Sequence, residues 1–175
     1  MEEVIRIPAE RVKILVGKDG KTKELLEKKC RVEIKIDREG DVDIEGESTE
    51  VFFAKDVVLA IGRGFNPQKA LKLLNPDYQL YIFHLKEYLS TEKAIKRIKG
   101  RIIGENGKTK GEIEDATDSY LSVYGNTVGI ISKLDSIGYA QEAVGMLIHG
   151  AKHASAYNYL RRARKRILES RLRGK

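Results

Sequence analysis

The sequence has little of what disulfide-bonded and membrane-spanning proteins need. Its 175 residues include one cysteine, three prolines and no tryptophan. The lone Cys30 excludes a disulfide within the chain, and the sequence contains neither an apolar run of about 20 residues nor a charged-then-apolar leader. Asparagine and glutamine are scarce beside abundant Lys, Arg and Glu, a composition typical of proteins that work at high temperature. We therefore expect a cytoplasmic protein, in a reducing compartment, with no membrane segment.

Positive charge is concentrated in two parts of the chain. Residues 152–175 contain nine Lys or Arg and one Glu, a charge of +8 in a chain whose net charge is +7. Residues 93–110 contain seven bases and one acid, whereas residues 37–56 contain eight acids and two bases. Such clustering favours a polyanionic partner.

A short repeat divides the sequence almost in half. Gly-Lys-Thr-Lys occurs at 20–23 and at 107–110, each time at the end of a Gly-x-x-Gly segment. An offset of 87 residues aligns 16–27 with 103–114, and six of the twelve positions are identical. Two small domains are therefore predicted, each with a modest core, and packing between them is expected to add stability.

Hydrophobic periodicity predicts the same order of elements, β-α-α-β-β-α, in both halves. The first half is predicted to contain a strand at 4–7, a helix from 8 to about 15, a helix with Leu25 and Leu26 on its inner face, strands at 32–36 and 42–44, and a helix capped by Ser48 or Thr49. The second half is predicted to contain a strand at 80–85, a helix capped by Ser90 and running to about 99, a helix from 108, strands at 120–124 and 128–132, and a helix capped by Asp135 or Ser136.

The predicted domains are 1–64 and 78–150, joined by a linker with a short helix at 65–77. A basic helix at 151–175 is expected to pack on the second domain, because four apolar residues in it have helical spacing. These residues are Ala156, Leu160, Ala163 and Ile167.

A Gly-x-x-Gly loop between two helices suits a sugar-phosphate strand, which can approach backbone that lacks a β-carbon and the amides that open the next helix. The candidate RNA-binding residues are Gly17, Lys18, Asp19, Gly20, Lys21, Lys23, Arg97, Lys99, Arg101, Gly104, Glu105, Asn106, Gly107, Lys108 and Lys110, with Arg161, Arg162 and Lys165 as further candidates. The apolar residues expected to line a groove for unstacked bases are Ile14, Ile34, Ile103, Ile113 and Leu121. Replacing Gly104 and Gly107 by Asp is expected to weaken RNA binding without unfolding the domain.

The loops are compatible with two other interpretations. A nucleotide-binding P-loop also ends in Gly-Lys-Thr, but it needs glycine where this chain has Leu15 and Ile102, and it follows a strand rather than a helix. Alternatively, both loops are plain helix-helix turns with solvated lysines. Repetition of the glycines together with their flanking charge favours RNA binding over both interpretations.

Other residues with reactive side chains are few. His149 and His153 have helical spacing but no obvious third ligand, so a metal site is not predicted. Cys30 is expected to be a small buried residue. Tyr157 and Tyr159 fit base stacking and helix packing equally well. Without a paired acid and base, a nucleophile elbow or a metal set, the sequence favours a binding protein that is not an enzyme and uses no cofactor.

The segments Val-Gly-Lys-Asp-Gly at 16–20 and Ile-Gly-Glu-Asn-Gly at 103–107 resemble the Ile-Gly-x-x-Gly signature of the type I KH fold. This resemblance implies an α+β protein with two KH domains, each a three-stranded sheet with helices on one face, and each holding about four nucleotides of single-stranded RNA. Because Glu105 is unfavourable beside a phosphate, the second domain is expected to rely on Arg97, Lys99, Arg101 and the tail.

The string Gly-Arg-Ile-Ile-Gly-Glu-Asn-Gly-Lys-Thr at 100–109, followed by an Arg-rich helix, is similar to archaeal proteins of the partner-of-Nob family. That family acts in small-subunit ribosome assembly and rRNA processing. The resemblance implies binding near the 3′ end of small-subunit rRNA, alongside a 3′-end endonuclease and an rRNA dimethyltransferase. An adaptor to a translation initiation or RNA-decay factor, through the acidic segment or the tail, and an RNA-processing enzyme remain the alternatives.

Overall fold

The computed structural model describes residues 1–174, and its first compact unit spans Met1–Leu80. The three strands form an antiparallel sheet in the order β1-β3-β2, and helices pack on one face of it. This arrangement confirms the predicted α+β class and element order. The elements are β1 (Glu2–Arg6), α1 (Ala9–Val16), α2 (Lys21–Cys30), β2 (Glu33–Ile36), β3 (Asp41–Glu45) and α3 (Ser48–Gly62).

The register of the first sheet explains which side chains enter the core. Ile5 lies opposite Val42, and Ile34 lies opposite Ile44, and all four are buried. Because strand side chains alternate between the two faces, the charged residues between them project from the outer face.

Two local predictions for the first unit are wrong. The N-cap position of α3 is Glu47, so the helix begins one residue earlier than a Ser48 cap requires. In α2, Leu26 is fully buried, whereas Leu25 is 41% exposed. Adjacent helical residues lie about 100° apart, so a narrow buried stripe on a short helix takes one of them and not both.

The segment predicted as a linker, residues 65–77, packs within the first unit. Asn66 caps α4 (Pro67–Ala70), because its side chain accepts a hydrogen bond from the backbone N–H of Lys69 at 2.8 Å. A 3₁₀ turn at Leu71–Leu74 follows. Phe65, Ala70 and Leu73 are buried against α3, so this segment extends the core and does not act as a free connection.

The second unit begins at Tyr81, shortly after its first strand starts, and repeats the element order of the first. Its sheet has the strand order β4-β6-β5. The elements are β4 (Tyr78–His84), α5 (Glu92–Ile103), α6 (Lys108–Thr117), β5 (Ser119–Tyr124), β6 (Thr127–Lys133), α7 (Ile137–Ile148) and α8 (His153–Arg173).

Three details of the second unit refine the predictions. Thr91, and not Ser90, caps α5, because its hydroxyl accepts a hydrogen bond from the N–H of Ala94 at 3.1 Å. The helix continues to Ile103, four residues beyond its predicted end, so it delivers the chain directly to the second loop. Ser136 occupies the N-cap position of α7, one of the two residues predicted there.

The terminal helix α8 packs on α6 and α7 through the stripe predicted from its spacing. Ala156, Leu160, Ala163 and Ile167 are all buried. Its basic residues therefore project from the flanks and outer side of the helix. Among residues 1–174, no helix is both long enough and apolar enough to cross a membrane.

Candidate nucleic-acid interface

The two Gly-x-x-Gly segments have nearly the same backbone conformation. Gly17 and Gly104 both have a φ of 74° with extended ψ, and Asp19 and Asn106 are left-handed, with φ of 53° and 52°. Aspartate and asparagine are the non-glycine residues that tolerate this conformation best. Each loop follows a helix, α1 or α5, so the P-loop interpretation fails on geometry as well as on sequence.

The first glycine of each loop is required by packing. A β-carbon on Gly17 would lie 2.9 Å from the backbone nitrogen of Thr22, and one on Gly104 would lie 2.7 Å from that of Thr109. The threonine hydroxyls are closer still. Gly104→Asp is therefore expected to destabilise the domain, contrary to the prediction from sequence, since the added side chain would collide with backbone.

The second glycine of each loop faces open space. Apart from the glycine itself and its two neighbours in the chain, no heavy atom of residues 1–174 lies within 4 Å of a β-carbon built on Gly20 or Gly107. Both glycines are N-cap residues, of α2 and α6 respectively, and have no side chain with which to cap the amides of the first helical turn. Lys21 and Lys108, the next residues, are exposed. Each loop thus presents bare backbone, a helix N-terminus without a side-chain cap and a cation, a combination that suits a phosphate.

The repeated lysines deeper in the two helices make internal ion pairs. Lys23 Nζ lies 3.1 Å from Glu27 Oε1, and Lys110 Nζ lies 3.0 Å from Glu114 Oε1. Each carboxylate also accepts a hydrogen bond from a backbone N–H of the following strand, at 2.8 Å in the first unit and 3.2 Å in the second. These four residues tie helix to strand in both copies, which accounts for the identity of Glu27 and Glu114.

The bases of α5 have separate environments. Arg97 is exposed, and Lys99 is half-buried. The guanidinium of Arg101 donates hydrogen bonds to the carbonyls of Leu147, at 3.1 Å, and Ala151, where α7 ends. Arg101 therefore holds the end of α7, and these two contacts occupy its guanidinium.

The predicted groove residues are mostly core residues. Ile34, Ile113 and Leu121 are at most 3% exposed, so they support the sheet and cannot contact a base directly. Ile14, at 39% exposure, and Ile103, which is half-buried, are accessible next to the loops. Periodicity identified all five as apolar but could not separate the floor of a groove from the core beneath it.

Comparison with known proteins places both units in one family. Residues 2–60 match the family model described as KH domain, and residues 79–165 match the eukaryotic type KH-domain, KH-domain type I. A KH domain-containing protein of Methanocaldococcus jannaschii is 43% identical over 174 residues, which cover 97% of this chain and 77% of the relative. The chain belongs to the family of tandem KH-domain proteins.

Other members of this family have more specific names. Dim2p from Pyrococcus horikoshii has 40% sequence identity and a TM-score of 0.87, covering 93% of this chain and 99% of that one. A structure of an a/eIF2alpha-aDim2p-rRNA complex from the same organism has a TM-score of 0.88 and 41% identity, covering 94% of each chain. The pre-rRNA-processing protein PNO1 of Chaetomium thermophilum is 32% identical, over 97% of this chain and 66% of the fungal protein. The predicted family is thereby confirmed.

In the second KH domain, α8 supports the loop directly. The Tyr157 hydroxyl lies 2.9 Å from Thr109 Oγ1, and Thr109, the threonine beneath Gly104, is only 2% exposed. Lys108 Nζ lies 5.9 Å from the centroid of the Tyr157 ring. The Tyr157 hydroxyl therefore points toward α6. Of the two roles predicted for Tyr157, base stacking and helix packing, the structure shows helix packing.

The candidate bases of α8 project from different sides of the helix. Arg161 lines a groove next to α6, together with Lys108 and with Arg164, a residue that the sequence interpretation missed. Arg162 lies on the other side, near Tyr159. Lys165 is exposed and pairs loosely with Glu169, at 4.0 Å. The signal for Arg164 was its helical spacing, because it is three residues from Arg161 and seven from Tyr157.

One basic residue of the tail has a structural role. Arg171 Nε lies 2.9 Å from Asp135, and its Nη1 lies 3.0 Å from Asp118. The hydrogen bond from Arg171 lowers the pKa of Asp135, and its positive charge acts in the same direction. Arg171 thus fastens the end of α8 to the body of the second KH domain.

The remaining candidates for chemistry have internal partners. His149 Nδ1 lies 2.7 Å from the Gly145 carbonyl, and His153 Nε2 lies 2.9 Å from the Arg101 carbonyl. Cys30 is buried, and desolvation raises the pKa of its thiol to about 11, which makes it a poor nucleophile at neutral pH. Within the described part of the chain, no group of three or more potential metal ligands is found.

Proposed function

We propose that this protein binds single-stranded RNA as a ribosome-biogenesis factor, and that its target is the 3′ region of small-subunit rRNA during maturation. The observation that carries the proposal is the open second glycine of each loop, with an uncapped helix N-terminus and an exposed lysine beside it. The pre-rRNA-processing names of its relatives and the rRNA complex of the P. horikoshii protein support the choice of target.

In this proposal the protein is a binder and not an enzyme. The sugar-phosphate strand lies over Gly20 or Gly107, phosphates accept hydrogen bonds from the amides of α2 or α6, and Lys18, Lys21 and Lys108 add attraction. The bases turn toward the accessible apolar edge beside each loop. A strand held in this way stays unpaired, so that a 3′-end endonuclease and an rRNA dimethyltransferase can act on it in the cytoplasm.

The test uses the full chain and a fluorescein-labelled 12-nucleotide RNA with the 3′-terminal sequence of archaeal small-subunit rRNA. Lys18→Asp alters the first loop, and Asn106→Asp alters the second, where aspartate keeps the left-handed conformation that Asp19 already has. A new negative charge beside a phosphate should weaken binding about fivefold or more per loop, and the double variant should lose more than either.

The matched controls carry the same substitutions elsewhere. Lys28→Asp lies in the last turn of α2, about 10 Å along the helix from the loop. Asn66→Asp lies at an exposed N-cap, where aspartate caps as well as asparagine. Both controls should bind RNA within twofold of wild type. Wild-type affinity in the double loop variant, with an unchanged melting temperature, would remove the loops from RNA binding.

A second role, as an adaptor to a translation initiation factor, has one specific observation in its favour. The outer face of the first sheet, formed by Glu2, Glu33, Asp41, Asp43 and Glu45 with Arg6 and Lys35, is mainly acidic and thus suited to a basic protein and not to RNA. A related protein forms a complex with a/eIF2alpha as well as rRNA. Capture of that factor should survive nuclease treatment and decrease after Asp43→Lys, whereas loss of capture on RNA digestion would leave RNA as the bridge.

A further inference from the structure

A groove between α6 and α8 begins at the second Gly-x-x-Gly loop. It encloses about 480 Å³, within the size range of pockets that hold a small ligand. The residues of interest along it are Lys108, Glu112 and Asp115 from α6 and Tyr157, Arg161 and Arg164 from α8. Such a groove lies on a different side of α6 from the sheet, so it is separate from the accessible edge described above.

The two walls of the groove differ in charge. Tyr157, Arg161 and Arg164 are spaced by four and three residues, so they follow one side of α8 over about 10 Å. Both arginines are exposed. Opposite them, Glu112 and Asp115 are exposed on α6, three residues apart. One wall therefore suits phosphate oxygens, and the other suits hydrogen-bond donors on a base.

The groove is continuous with the loop. Lys108 is the first residue after Gly107 and also lines the groove, with its Nζ 5.9 Å from the Tyr157 ring centroid. The 2.9 Å contact between Tyr157 and Thr109 fixes α8 at this end. An RNA strand that leaves the loop at Gly107 can thus enter the groove directly, because the next residue, Lys108, already lines it.

The first KH domain has no counterpart of this groove among its aligned residues. At the 87-residue offset, Glu112 corresponds to Leu25 and Asp115 corresponds to Lys28, so the acidic wall is missing. The arginines belong to α8, which follows the second domain alone. Any ligand of the groove is therefore specific to the second copy.

We infer that the groove between α6 and α8 is a nucleotide subsite that continues the RNA path beyond the second loop. Arg161, Arg164 and Lys108 receive a phosphate, and Glu112 and Asp115 accept hydrogen bonds from a base with an exocyclic amino group. Cytosine, adenine and guanine have such a group, and uracil does not. This inference rests on the RNA binding proposed above and adds a selective position to it.

The first experiment compares two pairs of arginines on the same helix. Arg161→Gln with Arg164→Gln removes two charges from the groove, and Arg166→Gln with Arg173→Gln removes two from exposed positions of the same helix outside the groove. With the 12-nucleotide probe and the full chain, the groove pair should lower affinity at least fivefold. It should also reduce the slope of log affinity against log salt by about 0.7, the contribution of one neutralised phosphate of a single strand.

The control pair should stay within twofold of wild type, with an unchanged salt slope. Equal losses in both pairs would mean that general attraction to a basic helix accounts for the effect, and the groove subsite would be refuted. The groove subsite would also be refuted if the groove pair bound RNA as tightly as wild type while the separate variant Asn106→Asp bound it more weakly. That result would leave the proposed function intact. If wild type fails to bind the probe, the proposed function itself fails.

The second experiment tests the acidic wall through base identity. Probes in which successive nucleotides are replaced by uracil should reveal one position where wild type loses about tenfold in affinity. The variant Glu112→Ala with Asp115→Ala should not show this loss, because alanine has no side-chain hydrogen-bond acceptor. Thermal melting checks that both chains are folded. A general gain in RNA affinity in the variant, with the same uracil profile as wild type, would mean that these acids only repel RNA. It would favour a basic peptide as the occupant and overturn the inference.

Discussion

Substitutions of the two glycines of the second loop should have different effects, one on stability and the other on RNA affinity. Gly104→Ala places a β-carbon 2.7 Å from the backbone nitrogen of Thr109, and backbone cannot swing aside as the end of a side chain can. Such overpacking costs about 1–3 kcal/mol. A non-glycine residue at φ 74° and ψ 174° adds about 1–3 kcal/mol of strain. We expect the free energy of unfolding to fall by about 2–6 kcal/mol.

Gly107→Asn is the matched substitution at the other end of the loop. Its side chain enters open space, and φ 76° with ψ 13° is a left-handed conformation that asparagine adopts at a cost of about 1 kcal/mol. The side chain would nevertheless occupy the position proposed for the sugar-phosphate strand. We expect a chain that is almost as stable as wild type and binds the 12-nucleotide RNA at least tenfold more weakly.

Guanidinium unfolding followed by circular dichroism measures the first quantity, and fluorescence anisotropy with the labelled RNA measures the second. The predicted outcome is a crossed pattern, with stability lost in Gly104→Ala and affinity lost in Gly107→Asn. An unfolding midpoint of wild-type value for Gly104→Ala would refute the clash with Thr109. Wild-type affinity for Gly107→Asn would refute the assignment of the open glycine to RNA contact.

Two further predictions concern buried polar groups. Tyr157→Phe removes the partner of the buried Thr109 hydroxyl and should destabilise the second KH domain by about 1–3 kcal/mol in guanidinium unfolding, whereas Tyr159→Phe should have a smaller effect. Because burial raises the pKa of Cys30 from 9.0 to about 11, its alkylation at pH 8 should be about a hundredfold slower in the folded than in the unfolded chain. The contribution of the buried, protonated thiol to the free energy of unfolding is complete below pH 9 and is lost as pH rises toward 11. Equal alkylation rates in the folded and the unfolded chain would contradict the burial of Cys30.

The element order and the core stripes could be predicted because they follow from local periodicity. Ile34 and Ile44 alternate with charged neighbours, and Ala156 and Leu160 have helical spacing, so burial follows from position along one element. The glycine loops could also be placed, since glycine followed by a new helical pattern marks a break. Helix caps were harder: Ser90 and Thr91 are both good caps, and side-chain chemistry alone does not tell which of them adopts the cap conformation.

The contacts that sequence could not supply are those between distant residues. Arg101 and Leu147 are 46 residues apart. The basic composition near the loop predicted that Arg101 contacts RNA, whereas the structure shows its guanidinium bonded to the end of α7. Likewise, Phe65 and Leu73 lie in a region rich in turn residues, and their apolar character did not reveal that α3 offers them a packing surface. In both cases the local sequence is compatible with an exposed or a packed side chain, and a contact with a residue distant in sequence determines which of the two occurs.

Two different constraints, internal packing and the proposed contact with a ligand, act on the twelve repeated residues. The first glycine, the threonine below it and the Lys-Glu pair are occupied by internal contacts in both copies, so their identity reflects a shared way of folding the loop. The second glycine and the lysine that follows it face open space in both copies. The left-handed backbone of the second glycine, with φ of 75° and 76°, restricts that position to glycine and, at a cost of about 1 kcal/mol, asparagine or aspartate. Folding gives no such reason for the identity of the exposed lysine. A negatively charged ligand that lies against bare backbone, as proposed for RNA, would supply that reason at both loops.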